Sequence, residues 1–252
     1  MKDIELVYDS HPKLKDPIFV EGLPGVGNVG KIAIEHLIAE LKPKKFASLY
    51  SKYFPPQVLV DEGGIVRLVD NQFFHLKRKA KPDLLVLTGD YQGLTPEGQY
   101  EISDAIVKVC KEMGCKRIVT LGGFSVGRMV TKPRVIGAAT SAAVVEEAKG
   151  HGVVFSGGEP GSGILGASGL LLALGKLSDI DGLCLMGETS GFIADPKAAE
   201  AVLRVVVKII DQEIGFKDLE ERAAQIDKLT ARLQEMEGPA AKPGKEELSY
   251  IS

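Results

Sequence analysis

Three sets of residues in this chain have types and spacing that suit chemistry. The stretch VEGLPGVGNVGK, residues 20–31, carries Gly25, Gly27 and Gly30 in the GxGxxG order of a turn that offers backbone N–H groups to a dinucleotide pyrophosphate. Asp90, Glu97, Glu159, Glu188 and Asp195 follow apolar runs, at the rim where α/β proteins gather acid/base groups. The segments LGGFSVGR, SGGEPGSG and MGETSGF are rich in glycine, and their N–H groups can cradle an anion.

Each pattern also has a plain structural reading. Tight strand-to-helix turns need glycine for steric reasons, and this chain holds 29 of them. A Rossmann site needs an acidic residue about 20 positions on to hold the ribose, and SLYSKYFPP offers none there. Lys31 follows Gly30, but Ile32 stands where a P-loop places the Ser or Thr that binds magnesium. Ser162 lies out of register for GxSxG and reads as part of a turn. Glu97 and Asp195 flank helix starts, where the helix dipole favours a carboxylate without any catalytic purpose.

His11, His36, His75 and His151 are far apart, and Cys110, Cys115 and Cys184 lack a CxxC spacing. No metal site is expected, nor any cofactor. Three scattered cysteines in apolar segments fit core positions in a reducing compartment. The net charge of -3, with Lys and Arg dispersed, lacks the footprint of a nucleic-acid binder. Charges interrupt MKDIELVYDS where a signal peptide needs an apolar run, and no stretch reaches the ~20 apolar residues of a membrane span. A cytoplasmic protein with no membrane partner is expected.

The elements that must position these residues alternate. PIFVEGLPG reads as a buried strand and VGKIAIEHLIAEL as the helix after it, with Ile32, Leu37, Ile38 and Leu41 near one face. KFASLYSKY is a second strand, QVLVDEGGIVRLV a hairpin around Gly63-Gly64, and FFHLKRK an edge strand whose basic residues discourage further pairing. DLLVLTGD is a strand buried on both faces. Thr95 caps and Pro96 opens a helix with Ile102, Ile106, Val109, Cys110 and Met113 as its stripe. KRIVTLGGF and DGLCLMGETSG are further strands, SAAVVEEAKGHG a short helix, and DPKAAEAVLRVVVKIIDQEIG a helix capped by Asp195 and stopped at Gly215. The pattern predicts one three-layer α/β/α domain over residues 1–215 with a mostly parallel sheet.

Residues 216–237 predict an amphipathic C-terminal helix with Leu219, Ile226 and Leu233 on one heptad position and Leu229 and Met236 on the other. That seam docks on its own domain or joins subunits. Residues 238–252 open with GPAAKPGKEE, too poor in apolar residues to order itself, and end in LSYIS. Leu248, Tyr250 and Ile251 have no core to join, so they fold back on the body, stay idle or form a short docking peptide.

Taken in order, EGLPGVGNVGKIA, GLTPEGQYE, LGGF, the glycine turns of GILGASGLLLALG, and GETSGF followed by DPKAAEAVL resemble the archaeal branch of the proteasome assembly chaperone family, over residues from about 17 to 215. The resemblance implies a domain similar to the nucleoside phosphorylase-like fold, without an established catalytic site, that assembles into homo-oligomers. It implies proteasome α-subunits as partners, reached by flexible C-terminal tails whose usual pattern is a hydrophobic residue, Tyr, then any residue. Here the end reads YIS, with Tyr250 third from last. Such a tail binds by pairing the Ser252 carboxylate with a lysine while Tyr250 and Ile251 bury apolar area, a contribution of several kcal/mol before ordering costs. A tether of about a dozen residues reaches roughly 20 Å, so several tails of one oligomer can engage together. The expected function is therefore ATP-independent and non-enzymatic. The alternative is a nucleoside- or phosphate-using enzyme, with Gly25, Gly27 and Gly30 as ligand loop and Glu159 or Glu188 as acid/base.

Overall fold

The computed structural model describes residues 2–155 and 163–237. Strand β1 (Ile4–Tyr8) leads to β2 (Ile18–Gly22), a 3-10 turn at Val26–Asn28 and helix α1 (Val29–Leu41). β3 (Lys44–Ser51) is followed by the short strands β4 (Val58–Val60) and β5 (Val66–Leu68), then by β6 (Asn71–Leu76) and β7 (Leu84–Gly89). Next come α2 (Pro96–Glu112), β8 (Arg117–Ser125), β9 (Val135–Ala139), α3 (Ala142–Gly150) and α4 (Ala167–Leu177). β10 (Asp181–Thr189), α5 (Pro196–Ile209) and α6 (Lys217–Glu237) complete the described chain.

The main sheet has the order β1-β3-β6-β7-β2-β8-β10-β9, and β4-β5 form a separate two-stranded ribbon. Its four central strands, β7-β2-β8-β10, run parallel. The parallel arrangement expected from the sequence is this centre, while both flanks are antiparallel. Parallel neighbours need long crossovers, and the helices supply them, whereas the flanking strands follow shorter connections.

Side chains alternate across the central strands. Phe19, Leu85, Ile118 and Cys184 join one core with Ile102 and Ile106 of α2 and Leu171 of α4. Val20, Val86, Val119 and Leu185 join the other with Ile34 of α1 and Val202, Leu203 and Val206 of α5. Burying apolar residues on both faces is what makes three layers. The caps are those expected: Thr95 Oγ1 accepts the Gly98 N–H at 3.0 Å, and Asp195 Oδ1 accepts that of Ala198 at 3.0 Å. All three cysteines are buried and unpaired.

Four expectations change. FFHLKRK is not an edge: β6 lies between β3 and β7, because the strand stops at Leu76 and its basic residues fall beyond it. The sheet ends instead at β1 and β9, neither of which stood out in the sequence. GILGASGLLLALG is not a set of turns but contains α4, where Gly175 packs so closely that a Cβ would lie 2.6 Å from Ile118 Cδ1. Helix α5 stops at Ile209 and not at Gly215, with Asp211 just beyond it in the left-handed region at φ 49°. In the ribbon turn, Gly64 alone of the glycine pair has positive φ, 79°.

Helix α6 docks on its own domain through its first turns. Leu219 and Ala223 are buried, and Leu219 belongs to the α1/α5 core. Arg204 of α5 bonds Glu220 at 2.9 Å and lies 4.1 Å over the Phe216 ring, while Lys197 pairs with Asp227 at 2.6 Å. Leu229, farther along, is exposed.

Candidate functional site

The loops after the parallel strands all open at one end of the sheet, the usual place for a site in this architecture. The glycine turn lies there, and its residues are used for packing. Gly27 has φ 60°, and a Cβ on it would lie 2.9 Å from Thr189 Oγ1. A Cβ on Gly30 would meet the Leu121 carbonyl oxygen at 2.2 Å, and one on Gly22 the Gly30 carbonyl oxygen at 2.3 Å. These glycines let α1 approach the backbones of β2 and β8. Gly25 differs: its backbone is extended, and the nearest atom to an added Cβ is 3.8 Å away. Lys31 turns from the loop to bond the Gly89 carbonyl at 2.8 Å and Glu35 at 2.9 Å.

The carboxylates proposed as acid/base groups are dispersed into separate structural roles. Glu188 pairs with Arg134 and also accepts the Arg134 backbone N–H at 3.0 Å. The Arg134 guanidinium holds this carboxyl below its usual range, a state unsuited to a general acid. Asp90 accepts two bonds from Arg67, at 2.6 and 2.9 Å. Burial acts to raise the Asp90 carboxyl, but Arg67 and the Asp70 N–H together keep it low. Asp195 is the cap of α5, and Glu97 lies exposed in the first turn of α2. Glu159 and Ser162 lie outside the described residues. Neither Glu188 nor any of these groups shares a hydrogen bond with the glycine turn among the described residues, except Asp195, whose N–H bonds the Gly27 carbonyl at 2.9 Å.

The residue that sequence reasoning missed is Glu21. It sits on β2, fully buried, with Oε1 accepting the Leu23 N–H at 2.9 Å and Oε2 3.5 Å from the Ser168 hydroxyl at the start of α4. Thr120, from β8, bonds the Ser168 carbonyl at 3.1 Å. Desolvation pushes the Glu21 carboxyl up to about 8, and the bonds from Leu23 and Ser168 do not offset it. Burial likewise raises the nearby Cys184 thiol to about 12. A carboxyl and a thiol whose burial favours their protonated forms therefore lie on the two strands flanking β8, each paired in register with Thr120. The only signal in the sequence is one acidic residue inside the apolar run IFVEG.

Gln92 joins the loops above this cluster. Its Nε2 donates to the Pro24 carbonyl at 2.7 Å, and its Oε1 accepts from Ala167 N at 2.9 Å and Gln99 Nε2 at 3.3 Å. The outer surface of the same rim is apolar: Val26, Leu94, Met129, Leu165, Phe192 and Ile193 are exposed, Leu165 at 97% and Phe192 at 79%. Large apolar side chains gathered at one end suit contact with another macromolecule. Among the described residues, no group of three or more His, Cys, Asp and Glu could hold a metal ion, and no helix is long and apolar enough to cross a membrane. The tail residues Leu248, Tyr250, Ile251 and Ser252 lie outside the described residues.

Comparison with known proteins places this geometry. The model of the PAC2 family matches residues 19–234. An uncharacterized protein of Methanocaldococcus jannaschii, MJ1210, is 40% identical over 257 aligned residues, covering 100% of this chain and 95% of its own. Pyrococcus furiosus PbaB, described as an archaeal proteasome activator, superposes with a TM-score of 0.88 at 40% identity, covering 92% of this chain and 99% of its own. Pyrococcus furiosus PbaA, described as an archaeal homolog of proteasome-assembly chaperone, gives 0.77 at 28% identity over 93% of each chain.

Proposed function

The chain belongs to the PAC2 family, and from that premise we propose that it is a proteasome-binding factor that assists assembly or activation without chemistry of its own. The observation that carries this reading is the likeness to PbaB along nearly the whole of both chains, at 40% identity. Its partners are proteasome α-subunits and further copies of itself, in a homo-oligomer of the cytoplasm. The contact is made by segment 248–252, where Leu248, Tyr250 and Ile251 supply apolar area to a groove on the α-subunit. Each tail binds weakly, and an oligomer that presents several binds by avidity.

ATP independence is supported by the glycine turn. Gly27 and Gly30 meet Thr189 and Leu121, so the motif spends its permissive backbone on contacts inside the protein. Non-enzymatic action is supported by Glu188, which is engaged by Arg134 and held ionised.

The test is deletion of residues 248–252. We expect binding to immobilised α-subunits to fall at least tenfold while the assembly mass, read by light scattering, changes only by the deleted residues. Unchanged affinity would remove the tail from the proposal.

A further inference from the structure

Helix α2 ends in a Schellman closure. The Gly114 N–H donates to the Lys111 carbonyl at 3.0 Å, and the Cys115 N–H donates to the Cys110 carbonyl at 2.9 Å. Gly114 permits the turn, with φ 76° in the left-handed region that side chains disfavour. In this ending the residue just past the glycine folds back over the one that accepts its N–H, and their side chains meet. An apolar pair commonly fills these two positions. Here both are cysteines, at a C-x4-C spacing.

The backbone bond limits how far apart they can be. With N and O 2.9 Å apart, covalent geometry holds the two Cα atoms within about 6.8 Å. A disulfide joins Cα atoms about 4.4–6.8 Å apart, so the main chain already stands within bonding range. The side chains agree, since the Cys110 thiol is hydrogen-bonded to that of Cys115. Neither is in a disulfide, and both belong to the core between the sheet, α2 and α4. Cys184, the third thiol, bonds Thr120 instead.

Access to the pair is unequal. Cys110 is fully buried, whereas Cys115 is 6% exposed and sits between Gly114 and Lys116, both at the surface. Lifting this one turn uncovers Cys115 without unfolding the domain. Burial raises the Cys110 thiol well above its ordinary value, so attack on an oxidant begins at Cys115.

We propose that Cys110 and Cys115 are a redox pair, oxidised by low-molecular-weight disulfides to an intrachain bond that staples the end of α2 to the start of β8. The exchange takes two steps. Cys115, as thiolate, attacks one sulfur of the small disulfide and expels the other as a thiolate, which takes up the proton that Cys115 lost. Cys110 then attacks the Cys115 sulfur of the mixed disulfide and expels the second small thiol, which carries away the Cys110 proton. Two protein thiols lose two electrons, and one small disulfide becomes two thiols.

The test treats the full reduced chain with glutathione disulfide, at ambient and at raised temperature. Samples are quenched in acid, alkylated under denaturing conditions and digested with trypsin. Peptides 109–111 and 112–116 should appear joined and two hydrogens lighter than the separate pair, with Cys184 alkylated and the undigested chain at monomer mass. The joined form should unfold roughly 5 °C higher, and dithiothreitol should reverse both changes. Alkylation of all three thiols at both temperatures overturns the proposal. Glutathione held on one cysteine without joining, or a covalent dimer in place of the intrachain bond, overturns it equally.

A second measurement separates the pair from other oxidation. The Cys115→Ala variant, compared with itself before and after the same treatment, should show no rise in Tm. A rise that persists in this variant places the stabilising bond elsewhere and removes the pair.

Discussion

The parallel centre of the sheet and the antiparallel flank carrying the ribbon use their residues in opposite ways. In the centre, glycines with a cofactor-like spacing are consumed by backbone contact: Gly30 against Leu121, Gly27 against Thr189. Acidic groups there are buried or paired, as Glu21 and Glu188 show. In the flank, the ribbon holds only its inner face to the body and leaves valines outward. A motif with chemical spacing can thus be structural, while ordinary aliphatic residues are left facing outward.

The contrast can be broken most severely at Gly30. Gly30→Ala places a methyl against a main-chain oxygen that cannot move without displacing β8, and should cost ~4 kcal/mol or more in denaturant unfolding. Gly25→Ala, in the same motif but with only an ordinary contact at 3.8 Å, should cost under ~0.5 kcal/mol. Equal effects at the two positions would return the motif to a ligand-binding role.

Next in size is Glu21. Its folded-state carboxyl titrates near 8, above its ordinary value of 4.5, so the unfolded chain loses its proton first as pH rises. Stability is therefore lost between about pH 4.5 and 8 and is level above that. Glu21→Gln removes this slope: the two proteins should be alike at pH 4, and the variant should be more stable by roughly 5 kcal/mol at pH 9. Parallel pH profiles would show that Glu21 is solvated. The smallest effect is local. Arg67→Ala frees the inner face of the ribbon from Asp90, and amide exchange over residues 58–68 should quicken about tenfold with little change in global unfolding. Unchanged exchange there would mean that Leu59 alone holds the ribbon.

What was legible in the sequence was local. Thr95-Pro96 and Asp195-Pro196 announced α2 and α5 because a cap and its helix are neighbours in the chain. Apolar runs gave the central strands. Helix α4 was hidden because its glycines, read as turns, are there for a strand: Gly175 makes room for Ile118, a residue far away in sequence. The environment of Glu21 was hidden likewise, since Ser168 lies 147 residues further on. The Glu188–Arg134 pair spans 54 residues, so a sequence shows a free carboxylate where the fold has a neutralised one. The ribbon was legible as a hairpin, but its outward face emerged only from the register of Val60 against Val66.

Gln92 has one more consequence. A single amide serves as donor to the segment at Pro24 and acceptor for the start of α4 at Ala167, with Gln99 as a third partner. A carboxylate of the same shape would lose the donor and a methionine both functions, whereas the loops so joined contribute mainly main-chain atoms, which every residue type possesses. Those loops can consequently drift in composition and still keep their mutual alignment, so long as one position, half-buried among them, stays chemically unchanged.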